Sequence, residues 1–134
     1  MGLARFLIGS ELSYEAIGLL DGIAKAQPLI LQDPQFRGLR GAARAIAGRY
    51  KDAEADFSSP TLAEDPASAL WRGYISQKLG DDAGARQQCA SGRSAQKLFS
   101  PKWRARFARA DAEAALAVKD YKACLLYTSP SPRD

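Results

Sequence analysis

The chain has 134 residues, 46% hydrophobic and 25% charged, with a formal charge of +4, an ordinary balance for a globular protein of one domain or about three to four helix-pair repeats. Histidine is absent, which removes the commonest general base and metal ligand and every Ser-His or Cys-His nucleophile pair. Cys89 and Cys124 form neither a disulfide framework nor a metal-ligand spacing, and no apolar run approaches the ~20 residues of a membrane-spanning helix.

Alanine is abundant and Val, Ile and Thr are scarce, which favours helix over strand. The first clear periodicity joins Tyr14, Ala16, Ile17, Leu20 and Ile23 on one helix that ends before Pro28. Leu3 to Ser10 is its short partner. The shortness points to a first helix that begins late, or to a natural start other than Met1.

Asp33-Pro34, Asp65-Pro66 and Ser100-Pro101 then open three further helices. Asp and Ser side chains accept from the free amides of a first helical turn, and proline suits the first helical position. Phe36, Leu39, Ala43 and Ile46 share a face of the first, and Trp71, Tyr74 and Ile75 one of the second. Trp103, Phe107, Ala110, Ala114 and Val118 run along the third, which spans Pro101 to Lys119. Gly48 and Gly80 end the first two helices. A second helix follows each turn, beginning at Asp52 and at Asp81-Asp82. The former stops at Ser58-Ser59-Pro60; the latter carries Ala85, Cys89 and Leu98 towards Phe99.

The prolines stand 32 and then 35 residues apart. Gly41 and Gly48 recur as Gly73 and Gly80, and Ala53 recurs as Ala85, all at the first of those offsets. A period of this size marks stacked helix pairs. With small residues at Gly41, Gly73, Ala16, Ala53 and Ala85, an aromatic at Phe57 and a closing proline per unit, the chain resembles the tetratricopeptide-repeat family from Leu3 to Ala123. Arg37 and Ala69 depart from it, standing where that family carries an aromatic residue. The resemblance implies an all-α, right-handed α-solenoid of antiparallel helix pairs. It covers a repeat domain, residues 1–123, with units 1–27, 33–60, 65–99 and a truncated 100–123.

Residues 124–134, from Cys124 to Asp134, break the alanine-rich style. They resemble the translation of a transposon-derived sequencing adaptor, and are read as a non-native disordered tail. On that reading the final unit lacks its partner helix. Surface on Trp103, Phe107 and Val118 is then uncovered, and the truncated end is open to self-association.

No enzyme chemistry emerges. Asp111 and Glu113 are two residues apart and point to different helix faces. Asp81-Asp82 reads as a cap, Cys89 as a buried structural thiol, and neither phosphate-loop nor dinucleotide glycine pattern occurs. No catalytic, cofactor or metal residue is assigned.

The remaining asymmetry is charge. The first helices carry Arg37, Arg40, Arg44, Arg72, Lys78, Lys102, Arg104, Arg106, Arg109 and Lys119 against Asp111 and Glu113. The turns and second helices hold most of the acids, Asp52, Glu54, Asp56, Glu64, Asp81 and Asp82 among them. In a solenoid of the resembled type the first helices line the concave surface. A basic groove there would receive a protein or acidic peptide segment by charge-assisted hydrogen bonds, with Tyr74, Gln77, Lys78, Lys102 and Arg109 on the inner phase. The bland counterpart is that these bases are solvated or paired with neighbouring acids. A non-catalytic docking or spacer segment of a larger enzyme or transport assembly fits the same pattern. Weak nucleic-acid binding would need stronger charge and exposed stacking aromatics, whereas Trp71 and Trp103 read as core.

Overall fold

The computed structural model describes residues 13–118, and among them there is no strand. The helices are α1 (Ser13–Ala26), α2 (Pro34–Ile46), α3 (Tyr50–Phe57), α4 (Pro66–Lys78), α5 (Asp82–Ser91) and α6 (Pro101–Ala117). Short 3-10 turns occupy Pro28–Gln32, Pro60–Leu62 and Arg93–Leu98. Leu3 to Ser10, Lys119 and the tail expected at Cys124 to Asp134 lie outside the described residues. The chain divides into two compact units between Ser68 and Ala69, within the first turn of α4.

All three proline-preceding residues cap their helices. Asp33 accepts from the Gln35 amide at 2.9 Å, Asp65 from the Ser68 amide at 3.1 Å, and Ser100 from the Trp103 amide at 3.4 Å. Asp81 caps α5 through the Gly84 amide at 3.0 Å. These bonds satisfy amides that have no partner inside the helix.

The helix ends repeat as well. Gly48 and Gly80 adopt φ of +84° and +90°, the left-handed conformation that costs glycine nothing. Around Gly48, the Arg49 amide donates to the Arg44 carbonyl and the Gly48 amide to Ala45. Around Gly80, Asp81 donates to Ser76 and Gly80 to Gln77. This pair of bonds is the Schellman arrangement, which closes the last carbonyls and turns the chain into the next helix.

In the first unit, Leu20 of α1 and Phe36 of α2 are fully buried, with Leu19, Ile23, Ile30, Leu31 and Leu39 packed around them. Ala16, Ile17 and Ala43 bury the other end of the same seam. Small residues let the helix axes approach, and the isoleucine and phenylalanine fill what remains. Tyr14, grouped with this face by its spacing, is instead 62% exposed. Its hydroxyl donates to the Ala47 carbonyl at 3.1 Å, so the polar tip holds the ring at the surface.

In the second unit, Leu70, Ile75, Phe107, Ala110, Ala114 and Ala115 are buried, as are Ala85 and Cys89 on α5. Phe107, expected to be left uncovered, is 1% exposed. Trp71 and Phe99 meet its ring edge-on at centroid distances of 5.1 and 4.9 Å, and Tyr74 and Trp103 stand at 6.1 and 5.7 Å. Among the described residues its cover thus comes from α4, from Phe99 ahead of α6 and from Trp103 within it. Leu116 and Val118, at the end of α6, are 56% and 44% exposed.

Two helices differ in extent from their sequence expectations. α3 starts at Tyr50, ahead of Asp52, because the Gly48 turn delivers Arg49 directly as its cap residue. α5 stops at Ser91, and its C-cap Gly92 leads into the Arg93–Leu98 turn. Leu98 is thereby left 73% exposed.

The fixed offset also governs side-chain contacts inside each unit. A β-carbon on Gly41 would come 2.7 Å from the Phe57 ring, and one on Gly73 would come 2.5 Å from Cys89 Sγ. Phe57 and Cys89 are themselves 32 residues apart. The two close approaches are therefore one contact repeated, made once with a ring and once with a thiol.

Candidate functional site

The arginine stripe of α2 turns inward onto one carboxylate. Asp56, on the same face of α3 as Ala53 and Phe57, is 0% exposed. Arg40 grips it in a fork, Nη2 to Oδ1 at 2.8 Å and Nε to Oδ2 at 3.1 Å. Arg37 Nη1 reaches Oδ1 at 3.1 Å and Arg44 Nη1 reaches Oδ2 at 2.8 Å. Asp21 of α1 adds a second carboxylate, 3.4 Å from Arg40 and 3.6 Å from Arg44. Burial works against the Arg40 charge, but its bonds to Asp56 and then Asp21 outweigh it, so the pKa is raised. These three cations serve the fold and are not available to line a groove.

The second unit carries a muted copy. Arg72 Nε donates to Gln88 Oε1 at 3.1 Å, and both residues sit 32 positions beyond Arg40 and Asp56. The acid of this unit lies elsewhere. Asp111 on α6, one of the two acids counted along the first helices, is 2% exposed and pairs with Arg86 of α5.

Cys89 shares that interior and is 4% exposed. Burial, followed by the Asp111 charge, pushes its thiol up to about 12, with Arg86 and Arg93 pulling weakly the other way. A raised acid pKa means the folded state holds its proton after the unfolded chain has lost it. The associated stability is complete below about pH 9 and is lost as pH climbs from there towards 12. Relative to Cys89→Ala, the wild-type unfolding free energy should therefore fall by about 1 kcal/mol between pH 9 and 10. Paired urea titrations at the two pH values check it; a constant difference would refute the assignment.

A groove of about 350 Å³ opens in the second unit, lined by Tyr74 and Lys78 of α4 and by Arg106, Arg109, Ala110 and Glu113 of α6. Lys78 Nζ lies 5.3 Å from the Tyr74 ring centroid, and the Arg106 guanidinium 4.6 Å from that of Trp103. Tyr74 and Trp103 meet edge to face at 5.6 Å. Across the groove, Gln77 Nε2 donates to Glu113 Oε2 at 3.1 Å, and Arg109 Nε donates to Oε1 at 2.8 Å. Three cations and one acid thus line the groove beside the Tyr74 ring.

Of the residues read from the sequence, Tyr74, Lys78 and Arg109 line this groove and Gln77 is bonded to its acid. Lys102 sits a turn earlier on the same stripe of α6 and does not line it. Arg106 and Glu113 were missed as groove residues. The spacing that finds them is Lys102, Arg106, Arg109 and Glu113 at successive steps of four, three and four, a single helical face. Trp103, read as core, is half-buried, packed against Trp71 on one side and lying beneath the Arg106 guanidinium.

Among the described residues there is no group of three potential metal ligands, and no helix is long and apolar enough to cross a membrane. Comparison of the chain with protein-family models, with curated proteins and with solved structures gives no match.

Proposed function

We propose that this chain is a non-enzymatic helical repeat scaffold, its helix pairs stacked in the manner of tetratricopeptide repeats, that receives an acidic protein segment in the groove between α4 and α6. The observation that carries this reading is the convergence of Lys78, Arg106 and Arg109 on one groove whose lining holds a single acid, Glu113. Cations fixed against aromatic faces are preorganised, so less side-chain entropy is lost when a carboxylate arrives. Arg37, Arg40 and Arg44 of the first unit are instead paired with Asp56 and Asp21, which leaves the α2 stripe no role as a receptor for acidic segments.

A fluorescein-labelled peptide with three consecutive glutamates in a Gly/Ser background should bind, with anisotropy as the readout. Lys78→Ala combined with Arg106→Ala should weaken it about tenfold or more, and binding should decline as salt is raised. Equal affinity for the Glu→Gln version of the peptide would overturn the reading. Preference for a single-stranded oligonucleotide would do the same, in favour of nucleic acid.

A further inference from the structure

We infer that Glu113 is a built-in competitor for the groove: its carboxylate holds the place a partner's carboxylate must take, and binding proceeds by exchange. This rests on the acidic-segment reading above. Both oxygens of Glu113 are engaged, Oε1 by Arg109 of α6 and Oε2 by Gln77 of α4. Two donors from two helices converging on one carboxylate describe a carboxylate-binding position, here filled from within. Gln77 keeps its donor turned to that position. The reversed amide would set its oxygen against the carboxylate, although Oε1 is buried with no hydrogen-bond partner.

The internal occupant is held loosely. The Arg109 and Glu113 side chains are 82% and 41% exposed, and pairs so exposed to water contribute little. Arginine precedes glutamate at the i,i+4 spacing, the weaker order for a helix. Release of Glu113 is therefore cheap, and its donors pass to whatever carboxylate replaces it.

A consequence for specificity follows. A ligand with a single carboxylate only substitutes for Glu113 and gains little net charge interaction. A ligand with neighbouring carboxylates also reaches Lys78 and Arg106, whose cations lie over the rings of Tyr74 and Trp103. Glu113 thus sets a threshold that selects clustered acids over isolated ones.

The test uses the tri-glutamate peptide and a matched peptide with one glutamate, against wild type, Glu113→Gln, Arg109→Ala and the double variant. Glu113→Gln should tighten the mono-glutamate peptide by about two- to fivefold, the scale of a surface ion pair, and the tri-glutamate peptide by less. In the Arg109→Ala background that gain should vanish, because the exchange position has lost its main donor. Wild-type binding of the tri-glutamate peptide with no gain, or a loss, in Glu113→Gln would overturn the inference while leaving the groove reading intact. A gain that persists without Arg109 would also overturn it, as a nonspecific charge effect. Failure of wild type to bind the tri-glutamate peptide would overturn the groove reading itself. Circular dichroism of each variant establishes that the fold is retained.

Discussion

Asp56→Ala should destabilise the first unit by about 3–5 kcal/mol, the range for removing one member of a buried ionic cluster. The carboxylate is fully buried and accepts from Arg37, Arg40 and Arg44. Its loss leaves three guanidinium groups crowded together, and the other carboxylate that pairs with them among the described residues, Asp21, is 46% exposed. The penalty combines desolvation with like-charge repulsion, neither of which a local water shell relieves at a helix interface. Asp56→Asn keeps the shape and should be damaging in the same direction, because an amide brings donors where three donors already converge. Urea unfolding followed by circular dichroism measures the loss. Hydrogen exchange should localise it to α2 and α3, with α5 and α6 less affected. A stable Asp56→Ala protein would mean that the cluster is solvated in the native state.

Gly73→Ala provides the second large effect. Alanine normally improves a helix by about 1 kcal/mol over glycine, yet here its β-carbon would lie 2.5 Å from Cys89 Sγ, 3.1 Å from the Cys89 amide nitrogen and 3.2 Å from the Ala85 carbonyl oxygen. Two of those neighbours are backbone of α5 and cannot rotate away, so the helices must separate. We expect a net loss of about 1–3 kcal/mol, the usual cost of overpacking. Gly38→Ala is the matched control, since nothing lies within 4 Å of its added carbon. It should stabilise by about 0.5–1 kcal/mol. Adding Cys89→Ala to Gly73→Ala should recover part of the loss by removing the sulfur, the nearest obstacle. Thermal and urea midpoints for the four proteins check the series; equal stability of Gly73→Ala and Gly38→Ala would contradict the close approach.

Local chemistry explains what was legible in the sequence. Caps, positive-φ glycines and proline starts depend on a few adjacent residues, so Asp33, Asp65, Asp81, Ser100, Gly48 and Gly80 could be placed without tertiary information. The recurring glycines also pointed to close helix contacts at Gly41 and Gly73. The candidate groove was half legible: Tyr74, Gln77, Lys78 and Arg109 fall together, whereas Arg106 and Glu113 required the full stripe of α6. Charge was the least legible quantity. Ten bases along the first helices read either as a groove lining or as charges solvated and paired with neighbouring acids, and the choice depends on which acids face them.

That division follows from the range of the forces. The order of elements, their caps and the 32-residue period are short-range properties of backbone and spacing, and the amino-acid sequence alone determined them. Which arginines remain free is a pairwise property of helices packed against one another. Only the tertiary structure turned Asp56 and Asp111 inward, onto Arg37, Arg40 and Arg44 in one unit and onto Arg86 in the other. The same packing set Glu113 between Gln77 and Arg109. A buried carboxylate needs partners supplied by other elements, and no count of charges along a single helix contains them.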